Sequence, residues 1–350
     1  MNIMEWFHHL NATWHLVLVS AIKIAFVFGT VMPGVAYSVL AERKICAWIQ
    51  DRIGPNRVGP FGFWQPLADG VKTFLKEDFV PAHVHKAYFW LAPMVLMIPA
   101  LLVLAVIPFG SQLFGEKMVI ADLNVGILYT FGIVSLGVYG IVLAGYASNS
   151  KYPFLGGIRS SAQMISYEIA MGMSVIPIFL ITGELNLSKV VQYQAEHGWL
   201  IFYAPISFLI FVVSSFAETN RLPFDLPESE QELVGGYNTE YSSMKFALFF
   251  MGEYANIIAA SAMMVTLFLG GWSLPIGGLN RPADTIVLGV VHILIFMAKV
   301  AVLVGVFIWV RWMWPRFRYD QLMDLGWRRF LPLSLANILV TAVFLWWKLA

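Results

Sequence analysis

Apolar residues run along the chain in long, nearly unbroken blocks, separated by shorter stretches that carry most of the charge. Eight blocks reach the length of about 20 residues that a helix needs to cross about 30 Å of hydrocarbon. They fall at about 16–40, 88–108, 125–147, 160–182, 200–217, 244–270, 285–310 and 330–348. Pro33, Pro99, Pro177 and Pro205 interrupt several of them, which membrane helices tolerate when neighbours satisfy the freed carbonyls. The pattern predicts an all-α polytopic membrane protein, residues 1–350 forming a single integral membrane domain with eight transmembrane helices and ordered cytoplasmic loops. Residues 1–13 lack a basic leader, and the first apolar run is span-length, so no cleaved signal is expected.

The loops differ in character. Sixteen Lys and Arg fall in the loops after spans 1, 3, 5 and 7, against four on the other side. By the positive-inside rule those four loops face inward, and both termini face outward. The first inward loop, 41–87, opens with Glu42-Arg43-Lys44. Ile45, Trp48, Ile49 and Ile53 then form an apolar stripe that predicts a short amphipathic helix on the membrane surface. Gly54-Pro55-Asn56-Arg57-Val58-Gly59-Pro60 ends it. A second helix follows, with Leu67, Val71, Phe74 and Leu75 on one face and Asp69, Lys72 and Lys76 on another.

The third inward loop, 218–243, breaks the basic trend. Glu218, Asp225, Glu228, Glu230, Glu232 and Glu240 face a single Arg221, interleaved with Pro, Phe and Leu. A solvated acidic loop is one reading. The other is a set of proton-accepting sites, because clustered carboxylates raise one another's pKa. Two more acids, Glu168 and Glu253, lie eight and nine residues into their spans. Each is either an interhelical polar contact or part of a polar path, and their matched depths beneath the acidic loop favour the path. Lys299 is a candidate partner for one of them. His292 reads as a core histidine, Lys23 as a snorkelling side chain, and Cys46 as a small packing residue.

Composition narrows the chemistry. The chain is 59% hydrophobic and 12% charged, with a formal net charge of +1. A water-soluble enzyme is excluded, and no basic excess suggests nucleic acid. One cysteine permits neither a disulfide nor a four-cysteine iron–sulfur cluster, and no phosphate-binding glycine motif is present. Any redox centre that works beside this chain has to belong to another subunit.

Four stretches carry a specific likeness. They are AERKICAWIQDRIGPNRVGPFGFWQPLADGVKTFLKED (41–78), ASNSKYPFLGGIRSSAQMISYE (147–168), AETNRLPFDLPESEQELVGGYNTEYSSMKFALFFMGEY (217–254) and RYDQLMDLGW (318–327). In these, over essentially its whole length, the chain resembles the H subunits of respiratory complex I, the proton-pumping NADH:quinone oxidoreductase (translocase), and their mitochondrial counterparts. The resemblance implies a subunit that carries no redox centre and provides the quinone entrance, a chamber wall and the start of the proton path. It implies that Glu42, Arg43, Asp69, Arg159 and Phe224 border the quinone, and that Glu168, Glu218, Asp225, Glu228, Glu230, Glu240 and Glu253 form an acidic proton path. The implied partners are the peripheral-arm quinone-site and iron–sulfur subunits, which hold flavin and clusters, small and antiporter-like membrane subunits, quinone (ubiquinone included) and the lipid bilayer. The implied location is the bacterial inner membrane with periplasmic termini, or the mitochondrial inner membrane in an organelle. Two alternatives are the related membrane subunit of a proton-pumping nickel–iron hydrogenase and, from another class, a stand-alone ion-coupled transporter.

Overall fold

The computed structural model describes residues 12–226, 233–276 and 278–349. Its long helices are α1 (Ala12–Ile49), α3 (Lys86–Leu102), α4 (Gly126–Ala147), α5 (Lys151–Thr182), α8 (Ser243–Phe268), α9 (Ile286–Met313) and α11 (Leu331–Leu349). Shorter helices are α2 (Gln65–Leu75), α6 (Leu187–His197), α7 (Pro205–Glu218) and α10 (Tyr319–Asp324). A two-residue hairpin, β1 (Gln112–Leu113) with β2 (Glu116–Lys117), is the sheet found among the described residues.

Seven of the described helices are long and apolar enough to cross a membrane. The segment expected at 200–217 forms only the 14 residues of α7, roughly 21 Å at the helical rise. Residues 200–203 make turns, and the helix begins at Pro205, whose fixed φ and missing N–H suit the first helical position.

The first inward loop also differs from expectation. The helix over 45–49 is not a separate surface helix: it continues α1, 38 residues in all. Polarity changes at residue 42, but no helix breaker occurs before Gly54. The second expected helix is present as α2, with Leu67, Val71, Phe74 and Leu75 all exposed.

The bundle packs in sequence order through α3, α4 and α5, with α7 and α11 against α5. Helix α8 is at the centre, touching α1, α3, α7 and α9. Small residues permit the closest crossings. A Cβ on Gly140 would lie 2.8 Å from the Leu96 nitrogen, and one on Gly145 would lie 2.7 Å from the Pro153 carbonyl oxygen. At the opposite end of the bundle from α2, Asn186 caps α6 by accepting from the Lys189 N–H at 3.1 Å. Lys299 lies at that end too. Its ammonium donates to the carbonyls of Leu269, Gly271 and Ser273 at 2.6, 2.9 and 2.7 Å. It therefore holds the C-terminus of α8 and pairs with neither Glu168 nor Glu253. Nearby, His292 is fully buried with Nδ1 2.7 Å from the Ser111 hydroxyl, while Lys23 reaches Glu116 of the hairpin at 3.7 Å.

Candidate functional site

The charged centre of the molecule assembles where α1, α8, α9 and the α7–α8 connection meet. Glu42, near the end of α1, is 8% exposed. It forms an ion pair with Arg311 of α9, accepts a hydrogen bond from the Tyr254 hydroxyl at 2.5 Å, and lies 3.9 Å from Arg221. Arg221 extends to Glu253 at 3.6 Å and sits over the Tyr254 ring, 4.3 Å from its centroid. Glu253 in turn accepts from the Tyr237 hydroxyl at 2.7 Å. Asp225 pairs with Arg316 at 2.9 Å and lies within electrostatic reach of Arg221 and Arg311. Three carboxylates thus face three arginines; Glu42, Glu253, Asp225 and Arg221 are buried, while Arg311 and Arg316 are partly exposed.

Local sequence explains the approach. Asn220 takes positive φ and ends α7. The amide of Gln163 on α5 donates to the carbonyls of Ala217 at 2.6 Å and Phe224 at 2.8 Å, which folds the following loop back onto the bundle. The Phe317 N–H donates to the Pro223 carbonyl at 3.1 Å and so brings Arg316 alongside Asp225. Burial pushes the Asp225 carboxyl above the ordinary carboxylate range, with Arg316 pulling against it.

Alongside this centre runs an apolar cavity of about 420 Å³ between α1, α8 and α9. Phe26, Thr30 and Phe109 line one part, and Tyr37, Ser38, Ala41 and Ile45 another. Ala41 adjoins Glu42 in the chain and Ile308 lies one turn before Arg311, so the cavity runs close to the ion cluster, whose own side chains are not among its lining. Its volume lies in the range of organic ligand sites.

The remaining candidate residues separate into distinct places. Glu168, in the middle of α5, accepts from the Ser135 hydroxyl of α4, and its field reaches Glu218 at the end of α7. Glu218 borders a small cavity of about 40 Å³ with Thr130, Ser215, Thr219 and Asn256, room for water at a polar site. Arg43 and Asp69 pair at 2.7 Å on the surface, where Gln65 and Lys72 also meet Asp69. Arg159 is half-buried in the first turns of α5. Glu240 faces His83 at 3.8 Å. Phe224 is 3% exposed among Tyr167 and Phe317, and does not line the apolar cavity. Glu228, Glu230 and Glu232 lie outside the described residues.

Glu168 with Glu218, and Glu42 with Glu253 and Asp225, are two groups with different partners. Sequence reasoning missed Arg311, Arg316, Tyr254 and Tyr237 as members of the centre; the two arginines come from about seventy residues beyond the acidic loop. No cluster of side chains suited to a metal ion occurs among the described residues.

Residues 22–342 match the family model described as NADH dehydrogenase. The chain is 50% identical over 310 residues to an H subunit of the NADH-quinone oxidoreductase of Cytophaga hutchinsonii, covering 87% of this chain and 90% of that one. It is 52% identical over 311 residues to the H subunit of the Rhodospirillum rubrum NADH-quinone oxidoreductase, covering 89% of each. It is 51% identical over 314 residues to NADH-quinone oxidoreductase subunit 8 of Rhodothermus marinus, covering 87% and 91%. An all-helical membrane architecture, a match over most of the chain and identity near one half lead to one conclusion: the chain belongs to the NADH dehydrogenase family, among the H subunits of NADH-quinone oxidoreductase.

Proposed function

We propose that this subunit provides the membrane-side route by which a quinone reaches the reducing site of an NADH:quinone oxidoreductase, and that it starts the proton path coupled to that reduction. The observation that carries this reading is the apolar cavity lined by Ala41 and Ile308, next to Glu42 and one turn from Arg311 of the Glu42–Arg311–Arg221–Glu253 cluster. An isoprenoid tail needs an apolar channel, whereas a quinone ring that gains two electrons needs protons and nearby compensating charge. The cavity supplies the first and the cluster the second.

Quinone reduction alters the electrostatics at the cavity end. With three carboxylates balanced against three arginines, any added negative charge or withdrawn proton redistributes the pairing. Arg221 bridges Glu42 and Glu253, so a change on one carboxylate is felt by the other. The α7–α8 connection carries both Arg221 and Asp225, and Glu218 stands just before it. A shift there can reach the Glu168–Glu218 pair, where protons continue into the membrane.

In this reading the chain binds no redox cofactor; flavin and iron–sulfur clusters belong to peripheral-arm subunits docked on the face carrying the α1–α3 and α7–α8 connections. Small and antiporter-like membrane subunits adjoin it in the bilayer, both termini lie on the opposite face of the membrane, and the loops with the basic excess face the cytoplasm or matrix. The names of the relatives support quinone rather than hydrogenase chemistry.

A photoreactive azidoquinone added to the purified complex tests the route. Label is expected on peptides spanning 37–45 and 301–308 and should be displaced by excess quinone. Displaceable label confined to other subunits would contradict it.

A further inference from the structure

The small interior cavity of about 40 Å³ lies where α3, α4, α5, α7 and α8 converge. At roughly 10–15 Å³ for each water it has room for about three. Its wall is apolar except for Thr130, Ser215, Glu218, Thr219 and Asn256. The three hydroxyls already donate to helix carbonyls, Thr130 to Gly126 at 3.0 Å, Ser215 to Phe211 at 2.8 Å and Thr219 to Ser215 at 2.9 Å. Each therefore offers the cavity lone pairs and no proton. Asn256 differs. Neither its amide nor the Glu218 carboxyl makes a hydrogen bond among the described residues, and the polar atoms of both keep surface that a water can reach. Among the described residues around the cavity, Asn256 alone has side-chain N–H groups to give.

Glu168 stands next to this space. It is not on the wall itself, but Met164 and Met171 are, one turn before it and one turn after it on the same face of α5. Ser135 donates to its Oε1, which leaves Oε2 without a partner among the described residues. The charge of Glu168 acts on Glu218, yet no hydrogen bond joins the two. A water-sized space beside both carboxyls, with an uncommitted amide on its wall, is a place for an ordered water.

We propose that Asn256 is a positioning residue of the proton path: its amide holds a water in this cavity, and that water passes protons between Glu218 and Glu168. The proposal rests on the reading of these two acids as the path. A proton leaves the Glu218 carboxyl for the water oxygen as one of the water's own protons leaves for the Glu168 carboxylate. The water is regenerated with its orientation reversed. The amide serves both orientations, because its N–H binds the water oxygen and leaves both water protons free. The hydroxyl lone pairs accept whichever proton is not in transfer.

The test uses the intact purified complex reconstituted in vesicles. Asn256→Leu keeps the size of the side chain and removes its hydrogen bonds, whereas Asn256→Ser restores a donor and leaves space for a further water. Asn256→Leu should lower coupled quinone reduction and proton pumping several-fold, with KM for quinone and NADH:ferricyanide activity unchanged. Asn256→Ser should recover most of the loss. In the infrared difference spectrum on reduction, the carboxyl band that disappears in Glu218→Gln should move to higher wavenumber in Asn256→Leu, as a carboxyl that loses a hydrogen bond does. If Asn256→Leu does not assemble, Asn256→Val takes its place. Wild-type pumping in Glu168→Gln and Glu218→Gln would remove the path, and this proposal with it. Failed pumping in those two variants, with wild-type pumping and an unmoved band in Asn256→Leu, would overturn the role of Asn256 and leave the path standing. A loss in Asn256→Leu without a band shift or recovery in Asn256→Ser would mean packing alone, and would overturn it too.

Discussion

Tyr254 donates its hydroxyl hydrogen to Glu42 at 2.5 Å across 212 positions of sequence, joining the C-terminal end of α1 to the middle of α8. The same ring carries Arg221 on its face, so one aromatic side chain orders both members of the Glu42–Arg221 pair. Tyr254→Phe keeps the ring and removes only the hydrogen bond to a buried charge, a loss of about 1.5–3 kcal/mol for bonds of this class. The solubilised complex should inactivate at a lower temperature. NADH:quinone activity should fall while NADH:ferricyanide activity, which needs only the peripheral arm, is retained.

Arg221 is the bridge between two buried carboxylates, and its removal leaves both facing each other. Breaking a buried pair by deleting one partner costs about 3–5 kcal/mol. Arg221→Met should therefore be more damaging than Glu253→Gln, and the double variant should be less damaging than the sum of the two. A double-mutant cycle on thermal inactivation measures this; strict additivity would mean that the two side chains are not coupled.

Lys299 has three protons and three carbonyl acceptors at the end of α8. Lys299→Met strands partly buried carbonyls and should cost about 1–3 kcal/mol. The quinone reductase rate per assembled complex should stay unchanged. A large loss of rate in stable, assembled complex would show that the ammonium serves the acidic path instead.

Asp122 gives a pH signature on the opposite face. Burial would raise its pKa, but hydrogen bonds from Lys117 at 2.7 Å and Asn186 at 2.7 Å overcome this and hold the carboxyl below its ordinary value. A folded-state pKa below the unfolded one stabilises above the unfolded value, about 3.9, and the benefit disappears as pH falls through the folded value. Asp122→Asn should lower the thermal midpoint at pH 7, and the difference from wild type should close below about pH 4. A difference independent of pH would mean that the carboxyl acts only through its shape.

How much of this could be read beforehand follows from which interactions are local. Apolar block length identifies the long helices because hydrocarbon thickness sets it. It misplaces the end of α1, since Glu42-Arg43-Lys44 changes polarity without containing a helix breaker. It cannot show that the 200–217 segment gives up its first turn at Pro205. The candidate acids stand out by type and position, but their grouping does not. Arg221 looks outnumbered in its own loop, and only the return of the α9–α10 connection to Pro223 brings Arg316 to Asp225. Likewise Phe224, conspicuous in an acidic loop, is held among Tyr167 and Phe317 because Gln163 ties its carbonyl to α5.

The central claim is that the cavity beside Glu42 is the route of the quinone tail. Gly305 of α9 lines it, and a Cβ built there meets nothing within 4 Å, so a side chain can start from this position into open space. The most direct measurement is kcat/KM of a Gly305→Leu complex for quinones of long and short tail, with NADH:ferricyanide activity as the assembly control. The account predicts a fall of roughly tenfold or more for the long-tailed quinone, about 1.4 kcal/mol in the barrier, with little change for the short-tailed one. Equal rates for both quinones, or an equal loss on both, would contradict it.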